Sequence, residues 1–202
     1  MPRLWLFDLP MQLKKEFGAN NTIFWYVTGK YGDGCGYPSS RIKKLELYGN
    51  ASLGPKRRMH IIGVGFDSSK TNAIISTTDP DEYIICSAFD DEHIDVHECV
   101  NEINRQIIDS ATFTVRFKMD DFAFMFSKLC ELANEYLELG DVIFVPDGPK
   151  PLIFAMSLVP LLIKKRGVSC LHALSDRNIN EVKDVQAGKL IYGFSMRVQE
   201  PN

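Results

Sequence analysis

At 202 residues, 45% of them hydrophobic, the chain is long enough to bury a full core as one domain, or as one domain with an N-terminal addition. A net charge of −3, from 23 basic and 26 acidic residues, supplies no global pull toward nucleic acid or an anionic membrane. The five cysteines are odd in number and form no CxxC pair, which argues against a disulfide framework or a zinc ribbon and reads as reduced thiols.

The opening stretch MPRLWLFDLPMQLKK lacks the basic-then-apolar order of a secretory leader. No uninterrupted apolar run reaches the roughly 18 residues of a membrane span, and the longest, Pro151 to Ile163, is broken by Pro160. A soluble, cytoplasmic protein is the expectation. Within this opening section the pattern predicts a short strand LWLF, a small helix around Met11 to Phe17 and a strand from Thr22 to Thr28. A glycine-rich stretch, Gly29 to Arg41, follows. It carries Lys30, Tyr31, Asp33, Tyr37, Ser39 and Ser40, a mixture that suits either a mobile cover over a ligand or a long hairpin connection. Lys43 to Tyr48 reads as another strand. Residues 1–58 are thus predicted to be a small α+β extension, as a subdomain or as strands added to the main sheet, with residues 59–202 as the main domain.

From His60 the chain alternates with regularity. Strands are predicted at Ile61–Gly65, Tyr83–Ser87, Thr112–Phe117, Val142–Val145 and Val168–Leu174. Between them lie helices from Ser68, from Asp95 to Asp109, from Asp120 to Leu139 and from Pro151 to Lys165. Asp67 or Ser68, Asp95 and Asp120 are the predicted N-caps, and Gly140 and Gly167 the predicted helix stops. Such alternation implies right-handed crossovers and a mainly parallel α/β sheet with helices on both faces. After a polar stretch, Leu190 to Val198 reads as a final edge strand, in either direction.

Two segments share one design: HIIGVGFDSSKTNAII (His60–Ile75) and DVIFVPDGPKPLIFAM (Asp141–Met156). Each is an apolar strand, a turn and an apolar helix start, which places two helix N-termini at the carboxyl edge where ligands bind. The first turn offers Gly65, Phe66, Asp67, Ser68, Ser69 and Lys70: backbone donors, two hydroxyls and a cation suited to an anionic group. The second offers Asp147, Gly148, Pro149 and Lys150, with Asp147 able to accept from a ribose hydroxyl or an amino group and Lys150 able to project over the edge. The same residue types also serve tight strand-to-helix turns that bind nothing. Neither turn matches GxGxxG or the phosphate-loop pattern, so no cofactor is implied.

Other clusters read as structure. Asp90–Cys99 (DDEHIDVHEC) has the residue types of a metal site, but its spacing fits a solvated helix start, and no metal site is predicted. His60 and His172 fall on or beside strands. The basic triplets at 56–58 and 164–166 are too short to mark a nucleic-acid surface.

The stretches GFDSSKTNAIISTTDPDEYIIC and VIFVPDGPKPLIFAMSLVPLL resemble segments of a poorly characterised group of bacterial Rossmann-like proteins, over roughly residues 59–175. More distantly, the layout resembles the CARF and SAVED sensor domains of prokaryotic defence systems. These resemblances imply a Rossmann-like fold and sensing of a nucleotide-like or phosphorylated small molecule at the two turns, with a protein partner or a second copy receiving the signal. A hydrolase or transferase acting on a nucleotide-type substrate in the same cleft is the alternative, with Asp67, Asp147 and Lys150 as its working groups. A structural subunit of a larger assembly is the third.

Overall fold

The computed structural model describes residues 21–30, 41–50, 56–163, 165–175 and 186–197. In chain order these form β1 (Asn21–Lys30), β2 (Ile42–Asn50), β3 (Arg57–Gly63), α1 (Ser68–Thr78), β4 (Glu82–Phe89), α2 (Ile94–Ile103), α3 (Arg105–Asp109), β5 (Phe113–Lys118), α4 (Phe122–Leu137), β6 (Gly140–Val145), α5 (Lys150–Leu162), β7 (Val168–Ser175) and β8 (Gln186–Arg197). The chain divides into two compact units, Cys35–Asn178 and the terminal pair Met1–Gly34 with Ile179–Asn202.

The larger unit is a six-stranded sheet in the order β2-β7-β6-β3-β4-β5. All neighbours pair in parallel except β2, which runs antiparallel to β7 along one edge. The five parallel strands have the order of a doubly wound, Rossmann-like sheet: β3, β4 and β5 step outward one way, and β6 and β7 step outward the other. Strands in such a sheet are covered on both faces and therefore apolar on both. Ile61 and Ile62 of β3 point to opposite faces, and both are fully buried. Burial of each contributes about 1.5–3 kcal/mol.

On one face Ile62, Val64, Ile85 and Val145 meet Ile74 of α1, Val100 of α2 and Ile107 of α3. On the other, α4 and α5 pack together, with Phe122 against Phe154 at 5.9 Å and Phe124 edge-on to Phe117 of β5 at 6.3 Å. After Lys150, helix α5 is apolar on every side but for Ser157, whose hydroxyl donates to the Ile153 carbonyl, and it is buried from Pro151 to Pro160.

The smaller unit contains β1 and β8, an antiparallel pair running from Asn21 opposite Arg197 to Lys30 opposite Gln186. Phe24 stacks on Phe194 and Tyr26 on Tyr192 along one face. Ile23, Trp25, Val27 and Ile191 are exposed on the other.

Several expectations change. Strand β2 joins the main sheet through β7, the added-strand alternative for residues 1–58, whereas β8, predicted as a strand of the main domain, pairs with β1 in the smaller unit. The helix predicted over 95–109 is broken at Asn104 into α2 and α3. Asp121, not Asp120, caps α4, and α2 starts from His93 with no side-chain cap while Asp95 sits in its first turn. Asp67 caps α1 by accepting from Lys70 N at 3.0 Å. Cys86, Cys130 and Cys170 are free, but Cys99 is disulfide-bonded, which corrects the expectation that every thiol is reduced. Pairing of cysteines is set by proximity in space, which their spacing does not report. The LWLF strand, the Met11–Phe17 helix and residues 31–40 of the glycine stretch lie outside the described residues.

Candidate functional site

The winding reverses between β3 and β6, whose register ends with Ile62 opposite Val145. At such a reversal the following helices leave toward opposite faces, and a crevice opens at the carboxyl ends of the two strands. Both look-alike turns stand there. They are close enough that a Cβ on Gly65 would come within 3.2 Å of the Gly148 backbone. Gly148 has φ +96, and a Cβ on it would meet the Val64 carbonyl at 2.6 Å. Only glycine fits there without strain.

The two turns are joined by an ion pair. Lys70 Nζ donates to Asp147 Oδ2 at 2.6 Å, with side chains 11% and 4% exposed. Asp147 Oδ1 also accepts from Gly148 N at 2.7 Å. Lys70 and Asp147, each predicted to meet a ligand, meet each other instead, and each supplies the paired, hydrogen-bonded partner that a buried charge requires. Phe66 packs against the hydrophobic core rather than standing free. The rim that stays accessible is Asp67, Ser68, Ser69, Gly148, Pro149 and Lys150, with Ser69 and Lys150 the most exposed. The amides of Ser68, Ser69, Lys150 and Leu152 lie in first helical turns, ahead of the first intrahelical bonds. Asp67 already places a carboxylate at the start of α1. The start of α5 holds Lys150 and no acid in its first turn, so an anion is favoured there.

Asn104, at the break between α2 and α3, is a residue that sequence reasoning passed over. It is fully buried, and its Nδ2 donates to the Gly65 and Val100 carbonyls, each at 2.8 Å, which fixes the first turn to the helix break. Its Oδ1 has no hydrogen-bond partner among the described residues. The signal was an amide lying among the apolar positions Val100, Ile103 and Ile107.

The Asp90–Cys99 cluster does not converge. His93 Nδ1 lies 2.8 Å from Asp90 Oδ1, whereas His97 turns toward Ser87. Among the described residues no three metal-ligating side chains gather. His60 is fully buried on β3 and held at a pKa of about 4, chiefly by burial and secondarily by Arg58. Of the first basic triplet, Arg57 pairs with Glu82, and Arg58 donates to the Asp79 carbonyl at 2.9 Å. These contacts tie the start of β3 to the start of β4 and to the loop before it.

The class defined by fold and geometry is a doubly wound, Rossmann-like α/β domain with an antiparallel edge strand. No family model matches the chain, and no curated protein matches it. Among solved structures, a universal stress protein in complex with cAMP is similar at 18% identity and a TM-score of 0.31, covering 58% of this chain and 98% of that chain. The cAMP is that protein's ligand. No helix among the described residues is long and apolar enough to cross a membrane.

Proposed function

We propose that this chain is a cytoplasmic binding module that holds a nucleotide-like or phosphorylated small molecule at the reversal between β3 and β6. The observation that carries the reading is the meeting of the two turns at that point, with exposed Lys150 on the rim and the unspent donors of two helix N-termini beside it. The ligand's anion sits at the start of α5 against Lys150, and its polar part lies toward Asp67, Ser68 and Ser69. A sensor must bind two states unequally, and the locked turns are the element a ligand would bias. The exposed Trp25 face of β1 and β8 supports a protein partner. Membership of a bacterial defence system rests on the more distant resemblance of the layout to the CARF and SAVED sensor domains. The hydrolase alternative in this cleft is weakened because both oxygens of Asp147 are engaged.

Thermal shift with AMP, ATP and inorganic phosphate tests the reading. A binding nucleotide stabilises the fold by about 2.7 kcal/mol at a hundred times its Kd. Lys150→Ala should cost about tenfold in affinity, the worth of one charge-assisted hydrogen bond, and leave the unliganded Tm unchanged. No shift with any of the three would sink the proposal.

A further inference from the structure

Away from the reversal point, a second cleft of about 370 Å³ lies between α2–α3 and the strands β4 and β5, a volume in the range of small-molecule sites. Ser87, Asn101 and Arg116 are among its lining residues. Ser87 lies near the carboxyl end of β4, 5% exposed, with its Oγ 3.2 Å from His97 Nε2. The other ring nitrogen, Nδ1, lies 3.3 Å from the Asn101 carboxamide, at Nδ2. His97 and Asn101 are one helical turn apart, so α2 presents both on one face. A half-turn of the Asn101 amide exchanges its nitrogen and oxygen with little change of shape. With Oδ1 inward, it accepts from Nδ1–H and leaves the Nε2 lone pair facing the Ser87 hydroxyl. Arg116 is the direct register partner of Ser87 on β5.

A hydroxyl, a base within hydrogen-bond reach and a third group orienting that base are the signature of an activated nucleophile. The geometry points to a hydrolytic site in this cleft, in which Ser87 attacks the carbonyl carbon of a small carboxylic ester. His97 moves the proton, Asn101 orients the ring, and Arg116 stabilises the oxyanion. Burial lowers the His97 pKa from its ordinary value, Arg116 lowers it further and Glu98 opposes them, so the ring is neutral and ready to accept a proton near neutral pH.

The steps balance without a cofactor. The Oγ–C bond forms as the hydroxyl proton passes to Nε2. The C–O bond to the leaving alkoxide then breaks, and the alkoxide takes that proton. Water attacks the acyl-serine carbon and gives a proton to Nε2. That proton returns to Oγ as the carboxylic acid leaves. This site is separate from the reversal point and stands or falls without it.

The test is labelling of the whole protein with a fluorophosphonate probe, in which Oγ displaces fluoride, together with hydrolysis of p-nitrophenyl acetate. Peptide mass spectrometry should find one adduct, on Ser87, absent in Ser87→Ala. His97→Gln should slow labelling about 100-fold, the usual worth of a general base. Arg116→Gln, on the exposed edge strand, should keep the fold and slow ester hydrolysis about tenfold. A wild-type protein without an adduct, an adduct on another serine, or undiminished hydrolysis in Ser87→Ala overturns the assignment.

Discussion

Lys70 and Asp147 form a buried pair whose two halves lie 77 residues apart in the chain. Removing one partner strands the other charge in a desolvated place, which costs about 3–5 kcal/mol, whereas replacing both with apolar residues is far milder. Asp147→Ala should therefore lower stability by about that amount in urea unfolding, and Lys70→Met combined with Asp147→Leu should recover most of it. Equal losses in the single and double variants would show that the pair does not lock the turns. His60 makes a pH prediction. Its folded pKa of about 4 lies below the ordinary 6.5, so as pH falls the unfolded chain takes the proton first. The contribution of a neutral His60 is complete above about 6.5 and lost as pH falls toward 4, in total about 3 kcal/mol. Unfolding at pH 7 and pH 5 should show this slope in the wild type and its removal in His60→Leu; parallel slopes would refute it. The ten candidate site residues were legible as residue types. What the sequence did not show is that Lys70 and Asp147 answer each other, because contact between distant turns is a property of the winding.

Element ends show where periodicity stops informing. Asp121 Oδ1 accepts from Phe124 N at 3.0 Å, and its neighbour Asp120 is exposed before the cap. Asp121→Ala should cost about 1 kcal/mol and Asp120→Ala close to nothing, measured side by side in denaturant. A reversed order would mean that α4 begins one residue earlier. Two aspartates in succession give the same apolar pattern downstream, so the pattern fixes a helix without fixing which acid caps it. The break at Asn104 was illegible for a similar reason: Val100, Ile103 and Ile107 continue the stripe across it. The hydrogen bonds of Asn104 to Val100 O and Gly65 O redirect the chain there.

At the scale of the molecule, the alternation of apolar strands and helices carried the five parallel strands and the placing of both turns at the carboxyl edge. Strand order did not follow from it. Neighbours such as β3 and β6, or β1 and β8, are chosen by packing between parts of the chain that no local window contains. The division of the chain shares that cause, since its smaller unit joins segments from the two ends. The reversal point is proposed to hold an anionic ligand. Titrating the isotopically labelled protein with AMP and following backbone amide shifts tests it residue by residue. Saturable shifts should gather on Ser68, Ser69, Gly148, Lys150 and Leu152 and weaken in Lys150→Ala. Saturable shifts elsewhere, or none on these amides, would contradict it.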